Sequence, residues 1–185
     1  MSRFSLIYIG CFLILLSIFS FFNIIYSYYF NIFLNVDAYT YVFFISLIFG
    51  LFAIFFKKIT FQKISIYEKI ITVLFGYFFF PLIISIPFYF SIHDISFLNC
   101  YFEALSGFTS TGFTVFANLK HIDQSLILWR STSQWIGGLY FLFSLLLLID
   151  IFDENLKKSI TNYISFNSTE VSKQSFKVII LYSLL

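Results

Sequence analysis

Long runs of apolar residues, separated by short polar turns, dominate the pattern along this chain of 185 residues. A helix of about 20 apolar residues crosses the ~30 Å hydrocarbon core of a bilayer. The runs predict membrane helices at about Phe4 to Phe30, Tyr41 to Phe56, Ile70 to Phe90 and Leu126 to Ile149. The pattern therefore predicts an all-α integral membrane protein.

A shorter amphipathic segment lies between the third and fourth runs. From about residue 95 to residue 107, large apolar side chains recur at the three-and-four spacing of one helical face. Asp94 is expected to cap the start of this helix, and Gly107 is expected to end it. At ~1.5 Å per residue the helix is about 18 Å long, which is roughly half of a membrane.

The residues that follow this half-length helix, Thr109 to Thr114, are small, rich in hydroxyl groups and centred on a glycine. Irregular backbone is tolerated at membrane depth only where it lines a cavity or is buried in protein. The order of helix, half helix, polar loop and helix therefore predicts a re-entrant loop beside a pore.

Charge predicts the topology of the chain. Lysines cluster in the loop of residues 57–69, whereas the turn that carries Asp37 has no Lys or Arg. By the positive-inside rule, the 57–69 loop and the N-terminus with Arg3 are cytoplasmic, and the pore loop enters from the outside. Only 11% of residues are charged, and the net charge of +2 offers no footprint for nucleic acid. No cofactor is expected.

Backbone carbonyls are the expected chemistry of the loop. Rings of carbonyl oxygens replace the hydration shell of a potassium ion, and a glycine lets successive carbonyls turn to one side. Thr109 to Phe113 has small hydroxyl residues leading into Gly112, behind a helix whose C-terminus is the negative end of its dipole. That negative potential favours a cation in the loop.

Two strings in this region resemble a known family. They are Phe102-Glu-Ala-Leu-Ser-Gly-Phe-Thr-Ser-Thr-Gly-Phe-Thr114 and Ser125-Leu-Ile-Leu-Trp-Arg-Ser-Thr-Ser-Gln-Trp-Ile-Gly-Gly138. Both are similar to the first pore loop and following helix of the Trk/Ktr/HKT superfamily of potassium transporters, most closely the bacterial Trk-type membrane subunit. The resemblance implies two N-terminal transmembrane helices in residues 1–58, a first pore unit in 59–152, a cytoplasmic linker in 153–175 and the start of the next M1 helix in 176–185. Within the pore unit it implies M1 at about 68–90, the pore helix at about 95–107, the filter at 109–114 and M2 at about 125–150.

The resemblance also implies roles for individual residues. Each of the four units around the pore in that family has one filter glycine, which Gly112 matches. Glu103 matches an acid of the pore helix, preferred as an anchor of the filter over a direct ion ligand. Arg130 either pairs with a carboxylate behind the filter or reaches the outer interface beside Trp129. The implied ion-binding carbonyls are those of Ser110, Thr111, Gly112 and Phe113, with K⁺ at Thr111 and Gly112, and the implied filter support comes from Glu103, Thr109 and Arg130.

Two further details of the strings concern the width of the filter and the packing of the helix that follows it. Phe113 stands where a small residue is expected after the glycine, which puts the width of the filter in question. Gly137-Gly138 is expected to permit close packing of helices, with a gating hinge as the alternative.

The resemblance implies potassium uptake across the cell inner membrane, with this chain as an N-terminal fragment that supplies one of four filter segments. The implied partners are the remaining pore units, membrane lipid, a second copy when full length, and a cytosolic nucleotide-binding regulatory subunit. One alternative is a single-unit channel that forms homotetramers. Others are a non-conducting assembly subunit and a membrane hydrolase that uses His93 and His121, although no nucleophile-and-base motif supports the hydrolase.

Overall fold

The computed structural model describes residues 3–55, 66–92, 95–116 and 122–148. Within these ranges the regular structure is five α-helices, with no strand. The helices are α1 (Arg3–Tyr29), α2 (Val36–Phe55), α3 (Ile66–Ser91), α4 (Phe97–Phe108) and α5 (Gln124–Leu148). The predicted linker at 153–175 and the predicted helix start at 176–185 lie outside the described residues.

Three of these helices are long and apolar enough to cross a membrane, namely α1 from Leu6 to Tyr29, α2 and α3. Their length and composition support a multi-pass membrane protein. The fourth predicted span corresponds to α5, which has 25 residues and carries more polar positions in its first half. Over the described residues α5 is not among the helices apolar enough to cross a membrane, so that span stays a prediction.

Helix α2 begins at Val36, earlier than the predicted start near Tyr41. The polar residues that suggested a longer turn fit the first turn of the helix. Asp37 lies at the positive end of the helix dipole, and Thr40 Oγ1 donates to the Asp37 carbonyl at 2.7 Å. The turn between α1 and α2 is therefore short, and the two helices form a hairpin.

Small residues bring α1 and α2 close together. A Cβ on Gly10 would lie 2.9 Å from the Ala53 Cβ, and a Cβ on Gly50 would lie 2.9 Å from Ile14 Cγ1 and 3.2 Å from the Gly10 carbonyl. Ser20 Oγ donates to the Tyr39 carbonyl at 2.7 Å and so joins the helices nearer the turn. Small residues at both positions let the two backbones approach.

Gly50→Leu is expected to loosen this hairpin, because the added side chain overlaps Ile14 and the backbone of Gly10. Overpacking of this kind costs roughly 1–3 kcal/mol. The expected result is a lower apparent melting temperature in detergent. Phe49→Leu is the matched control, since Phe49 is exposed and the change leaves the helix contact intact. Equal melting temperatures for the two variants would contradict the contact.

Contacts between Cα atoms divide the chain into two units, residues 1–138 and 139–185. The first unit contains α1 to α4 and the first part of α5, and the candidate site lies wholly within it. The described part of the second unit is the remainder of α5, where Ser144 Oγ donates to the Tyr140 carbonyl at 2.7 Å.

Candidate functional site

Helix α4 directs the chain into the loop of residues 109–114. Ser96 caps its start, where the Ser96 side chain accepts a hydrogen bond from the Asn99 amide at 3.4 Å. The predicted cap, Asp94, lies outside the described residues, and the helix begins at Phe97 instead of residue 95. The prediction that Gly107 ends the helix is wrong. The helix continues through Phe108, and Thr109 is the C-cap residue.

The buried face of α4 is the one with small residues and the acid. Cys100, Ala104 and Glu103 are all 0% exposed, whereas the large apolar side chains Leu98 and Phe102 remain exposed. Since the small residues face the rest of the chain, α4 lies close to its neighbours. The exposed apolar face has no covering residues within the described ranges.

Gly137 sets the distance between α4 and α5. A Cβ on Gly137 would lie 1.8 Å from the Phe108 carbonyl oxygen, so only a glycine fits against the end of α4. One turn earlier in α5, Ser133 Oγ lies 2.5 Å from the position of a Cβ on Gly107. The expectation that Gly137 permits close packing is confirmed, and Gly107 has a related role instead of ending the helix.

The backbone reverses direction immediately after α4. The Thr109 amide donates to the Leu105 carbonyl at 2.8 Å, and the amides of Thr111 and Gly112 both donate to the Ser106 carbonyl, at 3.1 and 3.4 Å. Ser110 has a φ of 55° and Gly112 a φ of 78°, both in the left-handed region. These two residues turn the chain back along α4, and Gly112 adopts its φ without the strain that a side chain would add.

Ser106 organises the interior of the loop, and sequence reasoning missed it. Its Oγ donates to the Phe113 carbonyl at 2.7 Å and lies 3.1 Å from Thr111 Oγ1. Its carbonyl accepts the two loop amides described above and lies 3.5 Å from Thr109 Oγ1, so one residue contacts four positions of the loop. The available signal was a hydroxyl residue in the last turn of a helix that precedes a tight loop, because such side chains bond to nearby backbone.

Glu103 and Arg130 form the buried polar contact behind the loop. Glu103 Oε1 lies 2.7 Å from Arg130 Nε, and the acid is 0% exposed. Glu103 Oε2 accepts a hydrogen bond from the Val115 amide at 3.0 Å. Arg130 Nη2 donates to the Gly112 carbonyl at 3.3 Å. Of the two alternatives for Arg130, the structure has the ion pair, and the pair reaches the loop at two points.

The carbonyl groups of the loop fall into two sets. Those of Gly112 and Phe113 accept hydrogen bonds from Arg130 and Ser106. Those of Thr109, Ser110 and Thr111 accept none from residues in the described ranges. Residues 109–115 are exposed, and Phe113 is 68% exposed. The loop thus presents unpaired carbonyl oxygens at a surface that nothing in the described chain covers.

Thr109 contributes to the end of α4 and stays outside the Glu103 contact. Thr109 Oγ1 donates to the Leu105 carbonyl at 2.8 Å and lies 3.3 Å from Thr111 Oγ1. His93 and His121, the residues of the hydrolase alternative, lie outside the described residues. Among the residues that the structure describes, no three His, Cys, Asp or Glu side chains come together as a metal site.

Comparisons with known proteins give partial matches. No family model matches the chain, and no solved structure matches it. A protein of Methanocaldococcus jannaschii named as an uncharacterized cation transporter is 41% identical over 54 residues, which is 29% of this chain and 11% of that protein. The Trk system potassium uptake protein TrkI of Halomonas elongata is 34% identical over 55 residues, 30% of this chain and 11% of that protein. The chain is thus similar, over less than a third of its length, to small parts of two cation transporters.

Proposed function

We propose that this chain provides one wall of the ion pathway of a Trk-like potassium transporter, with residues 109–114 as one filter segment. The observation that carries the proposal is that the carbonyls of Thr109, Ser110 and Thr111 accept no hydrogen bond within the described ranges, on an exposed loop that follows a half-length helix. The names of the two partial relatives, a cation transporter and a potassium uptake protein, support the same class of function and point away from an enzyme.

The proposed chemistry is exchange of water oxygens for carbonyl oxygens around a dehydrating K⁺ ion. Ser110 and Thr111 offer carbonyls that have no other partner within the described ranges. Gly112 and Phe113 offer the second lone pair of carbonyls that already accept one hydrogen bond. The proposed K⁺ position is at Thr111 and Gly112, and the membrane potential draws the ion inward.

Glu103 acts in this proposal as an anchor. Its charge is paired with Arg130, its second oxygen accepts a hydrogen bond from the Val115 amide, and its side chain is completely buried, whereas the loop is exposed. The attraction for a cation then comes from the carbonyls and from the negative end of the α4 dipole. Arg130 and Thr109 complete the filter support, because Arg130 fixes the Gly112 carbonyl and Thr109 caps α4.

One such loop supplies one side of a ring of ligands, so the proposal requires further walls. The chain spans 11% of the length of each relative it matches, and further pore units of one transporter are the proposed source. Assembly of four copies of this chain is the alternative. Crosslinking in detergent distinguishes these two models, since a stable homotetramer of this chain would overturn the model with further pore units.

The proposal has four further parts. They are the inner-membrane location, the cytoplasmic 57–69 loop, the homodimer and the nucleotide-binding subunit.

Gly112→Ser tests the filter assignment. Within the described chain nothing lies within 4 Å of a Cβ at Gly112, so no contact in this chain opposes the substitution, whereas the left-handed φ of 78° does. Holding a residue with a side chain there costs about 1–2 kcal/mol, which favours a different loop conformation. In the complete gene product, expressed in cells without their own potassium uptake, we expect a lower ratio of K⁺ to Na⁺ uptake at equal membrane abundance.

Ser131→Ala is the matched control, because Ser131 is exposed on α5 and bonds only to the carbonyl of Ile127 in its own helix. This variant is expected to keep the wild-type preference. An unchanged K⁺/Na⁺ ratio in Gly112→Ser would remove Gly112 from the filter.

A further inference from the structure

A polar cluster joins the turn of the α1–α2 hairpin to the start of α5. Asn35 Nδ2 donates to Asp123 Oδ2 at 2.9 Å and to Ser125 Oγ at 3.4 Å. Tyr39 Oη donates to Ser125 Oγ at 3.2 Å, and Ser125 Oγ donates to Asp123 Oδ2 at 3.2 Å. Asn35, Tyr39 and Ser125 are almost completely buried. Every donor of this hairpin cluster therefore leads to the carboxylate of Asp123.

The hairpin cluster fixes the first turn of α5. The amides of Leu126 and Ile127 donate to the Asp123 carbonyl at 3.0 and 3.1 Å, and the Ser125 amide lies 3.4 Å from Asp123 Oδ1. Asp123 thus holds the start of α5 while its side chain is bonded to the hairpin. Separating α5 from the hairpin would leave buried donors and acceptors without hydrogen-bond partners. Each such group lowers the stability of the fold by about 1–3 kcal/mol.

Trp129, one turn further along α5, is fixed from two sides. Its ring centroid lies 5.6 Å from that of Tyr39, and its Nε1 donates to the Ile84 carbonyl in α3 at 3.0 Å. That carbonyl lies in the turn of α3 that precedes Pro87, so the bond joins α5 to α3. Tyr39 therefore contacts α5 at Ser125 and at Trp129, which together determine how α5 is rolled about its axis.

Arg130 directly follows Trp129, so the roll of α5 determines where its guanidinium points. The Cα atoms of a helix lie about 2.3 Å from its axis, and a long side chain extends well beyond them, so rolling by ~20° moves a guanidinium by over 1 Å. The Arg130 contacts with Glu103 at 2.7 Å and with the Gly112 carbonyl at 3.3 Å do not tolerate such a shift.

We propose that Asn35 and Tyr39 are positioning residues for the filter, and that the N-terminal hairpin serves the ion pathway through α5 and Arg130. The inference rests on the proposed function of the loop. It gives the first two helices a role in ion discrimination, in addition to any role in membrane insertion. In this path Tyr39 contacts Ser125 and Trp129, which set the roll of α5. The roll of α5 places Arg130, and Arg130 holds the Gly112 carbonyl.

Tyr39→Phe tests the path, since it removes the hydroxyl and keeps the ring against Trp129. We expect a fall of about fivefold in the K⁺/Na⁺ uptake ratio of the complete gene product at equal membrane abundance, the equivalent of about one hydrogen bond. Asn35→Ala is expected to act in the same direction. In an Arg130→Gln background, Tyr39→Phe is expected to add nothing, because residues of one path are non-additive.

Thr40→Ala is the matched control, since it removes one hydrogen bond within α2, from Thr40 Oγ1 to the Asp37 carbonyl, and that bond involves neither Tyr39 nor α5. A merely structural role predicts that Tyr39→Phe and Thr40→Ala either change only the membrane abundance or change the K⁺/Na⁺ ratio equally. Either result would overturn the inference. Additive effects of Tyr39→Phe and Arg130→Gln would also overturn it. If Gly112→Ser changes the ratio and Tyr39→Phe does not, the positioning role fails alone. If Gly112→Ser is silent as well, the filter assignment fails.

Discussion

Gly137→Ala is expected to reduce uptake to the background of the host cells if the chain is, as proposed, part of a potassium transporter. A Cβ at this position would lie 1.8 Å from the Phe108 carbonyl oxygen and 2.5 Å from its carbonyl carbon. Both are backbone atoms at the end of α4, so a methyl group fits only if α4 and α5 separate beside the loop. Replacing glycine by alanine inside a helix normally stabilises the helix by roughly 0.5–1 kcal/mol. A loss of function could therefore not come from a weaker helix, and it would point to the lost contact between α4 and α5. Uptake and membrane abundance are measured together.

Gly107→Ala is the matched control for this prediction. The Cβ would lie 2.5 Å from Ser133 Oγ, a hydroxyl that can rotate away by giving up its bond to the Arg130 carbonyl. A partial loss is therefore expected. The double variant Gly107→Ala/Ser133→Ala is expected to recover uptake, because the next atom, Ser133 Cβ, is 3.6 Å away. Equal losses in Gly137→Ala and Gly107→Ala, or normal uptake in Gly137→Ala, would contradict the arrangement of the two helices.

Glu103→Gln is expected to lower membrane abundance and potassium uptake together. The substitution leaves the Arg130 guanidinium near its place with no compensating charge, and breaking a buried ion pair in this way costs about 3–5 kcal/mol. The Val115 amide can still bond to the glutamine side-chain oxygen, so the change isolates the loss of charge. Abundance is measured by quantitative immunoblot of membranes, and uptake is measured with K⁺ and Na⁺ in parallel.

The double variant Glu103→Gln/Arg130→Gln separates stability from ion discrimination. With both charges removed, no unpaired charge stays buried, so we expect abundance to return towards the wild-type level. The K⁺/Na⁺ ratio is expected to stay low, because the Gly112 carbonyl has lost its donor at 3.3 Å. A double variant with wild-type discrimination would show that Glu103 and Arg130 stabilise the fold without positioning the loop.

Helix positions and the place of the loop could be predicted from the sequence. Apolar runs of membrane length predicted α1 and α3 to within a few residues, and the half-length amphipathic pattern predicted α4 between α3 and α5. These features are local, since helix length and periodicity depend on consecutive residues. The ends of helices were harder to predict. Capping depends on local backbone geometry, and at α4 the cap is Ser96 and the last helical residue is Phe108.

The face of α4 that lies against the chain was not evident from its pattern. The large apolar residues predicted to form one face are largely exposed, as at Leu98, and the acid Glu103 is buried. In a soluble protein the apolar face would turn inward. In a membrane protein hydrophobicity does not distinguish the lipid-facing side from the packed side, and small residues and polar pairs decide instead.

The sequence by itself determined the membrane class, the helix order and the identity of the glycine-centred loop. Only the tertiary structure decided that Arg130 reaches back to Glu103 and Gly112, that Gly137 meets the Phe108 carbonyl, and that Tyr39 holds α5. These contacts join residues from different helices, or from a helix and the loop. Their partners are fixed by how the helices roll and approach one another, and that geometry depends on all of the packed side chains together.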